Sequence, residues 1–302
     1  MRIYVVGAGA VGGYFGGRLA AAGEDVTFVC RGHTKAAIDG GGLRLDSVSG
    51  NVHVRPATVE RPDGTAKADL ILWAVKAYSN GQVMPLVEPL ISADTNILSL
   101  QNGIDAAEEL SAAFGSDKVI GGCASIAAEA VEPGVIRHTA LGRITLGELN
   151  GKLSDRVRKI DSLFDKASIP HRVSDRIRSD LWAKLVWNAA FNPCSVFLHA
   201  TVEELLNNLS ALSILKRAMQ ETIYVARAEG FDLSTNLIEA YLDPKEQSGE
   251  FRTSMLQDFL RKRPLEADAI SGAVVRMGRA RQIAVPVNEL FFDALLYLNQ
   301  EI

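Results

Sequence analysis

Arg2-Ile3-Tyr4-Val5-Val6-Gly7-Ala8-Gly9-Ala10-Val11-Gly12 passes from an apolar run into a G-x-G-x-x-G turn. The turn leads into a helix-like segment, Tyr14 to Ala22, and then into a second apolar run, Val26 to Cys30. A strand that turns through such glycines into a helix brings backbone N–H groups to a pyrophosphate, because glycine permits the tight turn and the close approach. The stretch predicts a dinucleotide site, with residues 7–12 as its phosphate-binding turn. The alternative is a turn that only packs a helix onto a strand.

The second apolar run ends at Arg31. In dinucleotide folds an acid roughly 20 residues after the turn binds the ribose 2′-hydroxyl of NAD, whereas an arginine nearby suits the 2′-phosphate of NADP. Gly32, His33 and Lys35 follow Arg31, and Lys35 adds a second positive charge to the same stretch. Arg31 therefore predicts NADPH as the cofactor, against the alternative of a plain solvated arginine.

The bulk composition is that of a globular protein with material for two domains. The chain has 302 residues, 47% hydrophobic and 23% charged, with a mean hydropathy of +0.08. A net charge of −4 gives no general attraction to nucleic acid. These values favour a small-molecule partner and predict neither nucleic-acid binding nor membrane association.

Three widely spaced cysteines, Cys30, Cys123 and Cys194, offer neither a disulfide framework nor a zinc motif. The apolar N-terminus resembles a signal peptide, but glycines interrupt it and Arg18 closes it. The sequence therefore predicts a cytoplasmic protein. The five histidines show neither metal-ligand spacing nor pairing with a nucleophile, so no metal site and no catalytic histidine are predicted.

The first half of the chain alternates apolar runs with helix-like windows, a pattern typical of a parallel sheet covered by helices. From about Asp175 onward strand signals nearly vanish and helix-period stretches follow, among them 177–191, 210–229, 253–261, 265–281 and 287–298. We expect an α/β fold: a Rossmann-type, doubly wound domain over residues 1–174 and a helical substrate-binding domain over 175–302. Apolar helical surface in the second domain leaves a homodimer open.

A narrow polar stripe marks the first of these helices. Between Leu181 and Asn192 the strongly polar residues are Lys184, Asn188 and Asn192, at positions i, i+4 and i+8 of an otherwise apolar helix. Such a stripe of short amides fits a ligand cleft better than a solvated surface, although a thin solvated face is the common alternative. Pro193 is expected to end or kink the helix.

Lys76 and Asn102 each follow an apolar strand of the first domain, where parallel sheets meet cofactor and substrate. A strand-end lysine in water and a simple Asn-Gly turn are the ordinary alternatives. The pattern around Ser254 predicts a capping box with Gln257. The pattern around Glu266 predicts an acid in the first turn of a helix. Neither would be selected as a site residue on pattern alone.

Taken together, the segments resemble the ketopantoate reductase family over essentially the whole chain. The resemblance rests on the glycine turn with Arg31 and on six further segments in the same order. These are Val75-Lys76-Ala77, Gln101-Asn102-Gly103, Leu181–Leu185 with Asn188 and Asn192-Pro193, Ser254–Asp258, Glu266 with Asp268, and Ala284–Asn288.

The resemblance implies reduction of 2-dehydropantoate (ketopantoate) to pantoate by NADPH, a step of pantothenate and coenzyme A biosynthesis. It implies that Lys184 is the proton donor, a role that suits the negative charge which hydride addition leaves on the carbonyl oxygen. It further implies that Lys76 and Asn102 lie beside the nicotinamide ribose. Substrate-binding roles are implied for Lys184, Asn188, Asn192, Ser254 and Glu266, with Glu266 counted among the catalytic residues.

Two positions depart from the family pattern. Phe251 stands where the family has an asparagine three residues before the serine, and Leu265 stands where a threonine often precedes the glutamate. Phe251 cannot replace the amide's hydrogen bonds, so reduction of a different small 2-oxo acid is an alternative. A non-catalytic NADP-binding sensor is another alternative, and the intact Lys184 and Glu266 argue against it.

Overall fold

The computed structural model describes residues 1–243 and 251–302. Its strands are β1 (Arg2–Val6), β2 (Asp25–Val29), β3 (Leu43–Ser47), β4 (Val52–Val54), β5 (Ala57–Val59), β6 (Leu70–Trp73), β7 (Asn96–Ser99), β8 (Val119–Glu132), β9 (Val135–Gly147) and β10 (His171–Val173). Its helices are α1 (Ala10–Ala21), α2 (Gly32–Gly41), α3 (Asn80–Val87), α4 (Ala106–Phe114), α5 (Asp155–Lys166), α6 (Ile177–Leu198), α7 (Val202–Leu206), α8 (Leu209–Ala228), α9 (Asn236–Leu242), α10 (Ser254–Leu260), α11 (Ala273–Ala280) and α12 (Pro286–Glu301).

The described residues form two compact units. The first unit comprises Met1–Gln101 and Ala106–Ile177, and the second comprises Asn102–Asp105 and Arg178–Ile302. The short segment Asn102–Asp105 therefore belongs to the helical unit although it follows a strand of the sheet. The sequence pattern did not predict this assignment.

A mixed sheet organises the first unit. Its strand order is β4-β3-β9-β8-β7-β6-β1-β2-β5, with β10 paired to β9. Six neighbouring strands of this order run parallel: β8, β7, β6, β1, β2 and β5. Strand β9 is antiparallel to β8, and β4 is antiparallel to β3. The parallel strands with their helices confirm the predicted doubly wound fold. The long β8–β9 hairpin extends this sheet with an antiparallel pair.

Alternating side chains of the parallel strands fill two cores, one on each face of the sheet. Ile3 and Val5 of β1 join the core that contains Tyr14 and Phe15 of α1. Val6 joins the opposite core, which contains Trp73, Val87 and Leu110 among others. Because both faces are covered, the parallel strands read as continuous apolar runs, which is why the sequence reveals them.

The second unit consists of helices and connecting turns, and its described residues form no strand, as predicted. Its long helix α8 anchors α12 through Glu221, whose carboxylate accepts hydrogen bonds from the backbone N–H groups of Val287 and Asn288, both at 3.0 Å. The Asn288 side chain donates to the same carboxylate at 2.8 Å. Glu221 thus satisfies N–H groups that the first turn of α12 leaves without helical partners.

The sequence predicted that Pro193 would end or kink its helix, and an end at this residue is wrong. Helix α6 continues through Pro193 to Leu198. An interior proline costs a helix about 3 kcal/mol, but Ala189, Phe191, Cys194 and Val196 around it are all essentially inaccessible to solvent. Burial of these side chains offsets the loss of one backbone hydrogen bond.

Among residues 1–243 and 251–302, no helix combines the length and the apolar character that crossing a bilayer requires.

Candidate active site

The glycines of the first turn serve two different purposes. Gly7 has a φ of +102°, and a Cβ on Gly12 would lie 2.0 Å from the carbonyl oxygen of Gly7, so both glycines are required by the fold itself. A Cβ on Gly9 would meet no heavy atom within 4 Å. The chain therefore gives no internal reason for a glycine at position 9, and the open space suits a group that approaches from outside.

Gly9 is the N-cap of α1, and Ala10 and Val11 begin the helix. In the part of the chain that the structure describes, no side chain caps this helix end and no acid occupies its first turn. Its backbone N–H groups and the positive end of the helix dipole therefore suit an anion such as a pyrophosphate. The turn, including Ala8, fits a dinucleotide cofactor.

Arg31 lies between β2 and α2. It is the N-cap of α2, it is exposed, and its guanidinium makes no hydrogen bond or ion pair with the described residues. Lys35 is committed elsewhere, because its ammonium donates to Asp39 at 2.5 Å, and this hydrogen bond raises the pKa of Lys35. Of these two cations, Arg31 is the one available to a cofactor phosphate.

Lys76 lies half-buried just beyond β6, and a buried amide network holds the backbone before it. The Gln101 side chain donates to the Val75 carbonyl and to Asn80 Oδ1, both at 2.8 Å. Trp73 Nε1 donates to the same Asn80 oxygen at 2.9 Å. The sequence predicted no role for Gln101 and gave no signal for Asn80, because only packing brings these side chains together.

In the second unit, Asn102 bridges the two residues predicted to be catalytic. Lys184 Nζ donates to Asn102 Oδ1 at 3.0 Å, and Asn102 Nδ2 donates to Glu266 Oε2 at 3.1 Å. The cation can only donate and the carboxylate only accept, so the two partners fix the orientation of the amide. Asn102 is 82 residues from Lys184 and 164 residues from Glu266 in the sequence, yet the fold brings the three side chains into one hydrogen-bonded chain.

The turn that carries Asn102 is held by a close backbone approach. Gly103 has a φ of +89°, and a Cβ there would lie 2.5 Å from the carbonyl oxygen of Ala269. Ala269 belongs to a π-helical turn, Asp268–Gly272, that begins two residues after Glu266. Glycine at 103 therefore lets the turn lie against the segment that presents the glutamate.

Glu266 is buried, with 6% of its surface exposed, and lies in a non-helical stretch. It is therefore not in the first turn of a helix, as its pattern suggested. Asn299 holds the preceding residue, because its side chain accepts from Leu265 N at 2.7 Å and donates to Leu265 O at 3.0 Å. This two-point contact fixes the backbone before Glu266. No sequence signal indicated it.

The stripe on α6 contains unsatisfied amides. Asn188 and Asn192 are 5% and 1% exposed, yet the Nδ2 atoms of both and the Oδ1 of Asn192 have no partner among the described residues. A buried polar group without a hydrogen bond costs about 1–3 kcal/mol, so such a set points to a ligand that supplies the missing partners. This favours the cleft interpretation over a solvated helix face.

Ser254 does not act as the helix cap that its pattern suggested. Thr253 is the N-cap of α10, since its hydroxyl accepts from Leu256 N at 3.1 Å. Thr253 also hydrogen-bonds the Ser195 hydroxyl at 2.6 Å, which ties this segment to α6. Ser254 is left exposed as the first residue of the helix. Its hydroxyl is not used for capping.

In the second unit, Asn102 therefore links Lys184 to Glu266, with Asn188 and Asn192 on the helix that carries Lys184. The first unit holds the glycine turn, Arg31 and Lys76. Chemically, an ammonium group next to buried amide donors can protonate and stabilise an oxygen that gains negative charge.

Comparison with known proteins agrees with this picture. The family model described as "Ketopantoate reductase PanE/ApbA" matches residues 3–151, and the one described as "Ketopantoate reductase PanE/ApbA C terminal" matches residues 176–298. The chain is 33% identical over 296 residues to a 2-dehydropantoate 2-reductase of Pyrococcus abyssi, covering 98% of this chain and 97% of that protein.

Solved structures agree as well. The crystal structure of a 2-dehydropantoate 2-reductase from Geobacter metallireducens is 32% identical and has a TM-score of 0.91, covering 100% of this chain and 99% of its own. A D-mandelate dehydrogenase solved with NADH and anilino(oxo)acetate has a TM-score of 0.94 at 22% identity and full coverage of this chain, and so shares the fold.

Proposed function

Because the chain belongs to the ketopantoate reductase family and is an oxidoreductase acting on a CH–OH group, we propose that it uses NADPH to reduce the C2 ketone of 2-dehydropantoate to pantoate. The step belongs to pantothenate and coenzyme A biosynthesis. The observation that carries the proposal is the Lys184–Asn102–Glu266 chain. We assign residues 1–174 to the cofactor domain and 175–302 to the substrate domain.

When bound, the reduced nicotinamide supplies the hydride for C2. Negative charge then grows on the carbonyl oxygen, and the Lys184 ammonium stabilises it and donates a proton to it. Asn102 orients this ammonium, because its Oδ1 accepts a hydrogen bond from Lys184 Nζ. Glu266 fixes the amide from its other side.

The remaining polar side chains hold the substrate. The unpartnered amides of Asn188 and Asn192 suit the carboxylate and carbonyl oxygens of a 2-oxo acid. The exposed Ser254 hydroxyl suits the carboxylate, and Glu266 is the acceptor for the distal hydroxyl of ketopantoate. These oxygens would satisfy the buried donors, which explains their place on an otherwise apolar helix.

NADP rather than NAD is favoured by Arg31. A guanidinium presents planar, bidentate donors to a phosphate group, and Arg31 has no competing partner among the described residues. The glycine turn supports the pyrophosphate, and Lys76 and Asn102 supply polar contacts toward the nicotinamide end.

Lys184→Ala tests the proposal. We expect kcat/KM for ketopantoate to fall by about 10²- to 10⁴-fold, the usual contribution of a general acid. NADPH affinity, followed by the fluorescence of the bound nucleotide, should stay within about twofold, since the substitution removes no group of the glycine turn or Arg31. Lys152→Ala, at an exposed lysine, is the matched control. Unchanged turnover in Lys184→Ala would contradict the assignment of the acid. A wild-type chain that binds NADPH but reduces no 2-oxo acid would identify a sensor instead.

A second candidate is reduction of a different small 2-oxo acid. It is favoured by Phe251, whose ring stacks on Trp187 and offers no hydrogen bond to a hydroxylated substrate. Ranking kcat/KM over a panel of 2-oxo acids decides between the two, because a clear preference for ketopantoate removes the alternative.

A further inference from the structure

A buried amide network closes the loop that carries Lys76. This loop runs from Ala74 to Asn80, between the end of β6 and the start of α3. Gln101 donates through Nε2 to the Val75 carbonyl and to Asn80 Oδ1, both at 2.8 Å. A single nitrogen atom therefore ties Val75 to Asn80, with Lys76 between them.

The donors and acceptors of the network leave each amide a single orientation. A backbone carbonyl can only accept, so the Gln101 nitrogen must face Val75. The Trp73 indole N–H can only donate, so the Asn80 oxygen must face it. Asn80 Nδ2 then donates to Glu109 Oε2 at 2.6 Å and to Gln101 Oε1 at 3.3 Å. Both amides thus have partners for nitrogen and oxygen alike, and a buried network satisfied in this way is rigid.

The hydrogen bond to the Val75 carbonyl acts directly on Lys76. This carbonyl belongs to the planar peptide unit that also contains the nitrogen and Cα of Lys76. On the other side, the Lys76 carbonyl accepts from Ser79 N at 2.9 Å, where the 3₁₀ turn Ala77–Ser79 begins. Hydrogen bonds therefore hold the peptide units before and after Lys76, and they fix the point from which its side chain extends.

The same loop lies against the phosphate-binding turn of the first unit. A Cβ on Gly7 would lie 2.9 Å from the Ala74 carbonyl oxygen and 2.9 Å from Val75 Cγ1. Ala74 N donates to Val6 O at 2.9 Å, which places the start of the loop beside the end of β1. The network therefore fixes the Lys76 loop next to the turn that we assign to the cofactor pyrophosphate.

We propose that Gln101 and Asn80 are positioning residues, which hold Lys76 where the cofactor needs it. This rests on the proposed function, in which Lys76 contacts the nicotinamide end of NADPH. Gln101 and Asn80 are 4% and 1% exposed, so they act through the loop and not by touching cofactor or substrate. Such placement matters, because a shift of about 1 Å in a positioned group can cost on the order of 100-fold in rate.

A double-mutant cycle tests the proposal. Gln101→Met keeps the length of the side chain and removes its donors, and Lys76→Ala removes the group to be positioned. We expect Gln101→Met to raise the Kd for NADPH about 3- to 30-fold, within the coupling range of residues in one hydrogen-bond network. It should lower kcat/KM for ketopantoate about 10- to 100-fold. In the Lys76→Ala background the same substitution should change each quantity less than about twofold, because no lysine is left to misplace.

Glu109 offers a milder entry to the same cycle. It is exposed, and its carboxylate accepts from the buried Asn80 amide. Glu109→Ala should lower kcat/KM about 3- to 10-fold when Lys76 is present and less than about twofold when it is absent. Glu109→Gln keeps an acceptor oxygen and should stay within about twofold of wild type. If Gln101→Met does not fold, the cycle is read with Glu109→Ala.

A second polar network of the first unit supplies the matched control. Arg156 Nε donates to the buried Glu148 carboxylate at 2.6 Å, and its guanidinium also donates to Val119 O at 3.2 Å, at the amino end of β8. Arg156→Met should lower the melting temperature but leave the Kd for NADPH and kcat/KM within about twofold. Changes as large as those of Gln101→Met would mean that general destabilisation explains both, and would overturn the proposal.

The outcomes separate the two proposals. If the network variants change neither quantity, or change both by the same factor with and without Lys76, the network serves only the fold; the inference is then overturned and the proposed function stands. If wild type binds NADPH but reduces no 2-oxo acid, the proposed function fails, and the Kd cycle, which needs no turnover, still decides the inference. A chain that does not bind NADPH refutes both.

Discussion

Replacing Gly9 with alanine should separate cofactor binding from folding. The backbone at Gly9, with φ −78° and ψ −165°, is one that any residue adopts. A Cβ there would have no heavy atom within 4 Å. At an N-cap position alanine is somewhat less favourable than glycine, so we expect the free energy of unfolding to fall by no more than about 1 kcal/mol.

The same methyl group should weaken the cofactor. It would fill the open space at the N-terminus of α1 through which a pyrophosphate reaches the backbone N–H groups. Loss of one hydrogen bond to a charged group costs about 1.5–3 kcal/mol, and each 1.4 kcal/mol is tenfold in Kd, so the Kd for NADPH should rise about 10- to 150-fold.

The assay is a fluorescence titration with NADPH, paired with thermal unfolding of the same preparations. Gly81→Ala is the matched control, because a Cβ at Gly81 also meets nothing within 4 Å but lies in α3. It should leave the Kd for NADPH unchanged and raise the free energy of unfolding by up to about 1 kcal/mol, since alanine favours a helix over glycine. Gly12→Ala should lose both binding and stability, since its Cβ would lie 2.0 Å from Gly7 O. Wild-type affinity for NADPH in Gly9→Ala would refute the cofactor cradle. A loss of stability as large as that of Gly12→Ala would show that Gly9 serves the fold instead.

Four further outcomes are expected. Gly103→Ala should lower kcat/KM on the order of 100-fold, because a Cβ 2.5 Å from Ala269 O must displace the Asn102 turn; wild-type kcat/KM would contradict this. Asn299→Ala should lower kcat more than it raises KM in steady-state kinetics, because the Leu265 backbone before Glu266 loses both of its hydrogen bonds to Asn299. A change in KM alone would show that this contact only shapes the pocket. Glu221→Ala should cost about 2–4 kcal/mol in urea unfolding, since three donors at α12 lose their acceptor; a loss below 1 kcal/mol would argue that water replaces the carboxylate. Burial lowers the pKa of His138, so the unfolded chain binds the extra proton and stability should fall as pH drops below about 6.5; His138→Gln should flatten this decline, and an equal decline in both proteins would exclude His138 as its source.

Much of the first unit could be predicted because its signals are local. The apolar runs at 3–6, 26–30, 70–75, 95–100 and 119–124 match β1, β2, β6, β7 and β8, and the glycine turn lies between β1 and α1 as its spacing indicates. Both faces of the parallel sheet are covered, so each strand needs apolar side chains at every position and appears in the sequence as a continuous apolar run. In α6 the helix does not end at Pro193, because burial of the neighbouring side chains offsets the cost of an interior proline.

The site residues could be predicted only in part from local patterns. Pattern alone selected Lys184, Asn188 and Asn192, since a polar stripe on an apolar helix is visible in sequence. Ser254 and Glu266 entered through family resemblance, because their spacing looked like ordinary helix capping and first-turn chemistry. The structure removes that ordinary explanation, as Thr253 caps α10 and Glu266 lies outside any helix.

The sequence by itself determined the parallel strands, the long helices of the second unit, the dinucleotide turn and the cation that follows it, because each depends on residues within one or two helical turns or strands. Tertiary structure alone decided that Asn102 joins Lys184 to Glu266, that Asn299 holds the residue before that glutamate, and that Phe251 completes an aromatic stack. Hydrogen bonds and ring contacts between distant segments leave no periodicity in the chain, since they depend on where packed backbones bring side chains together.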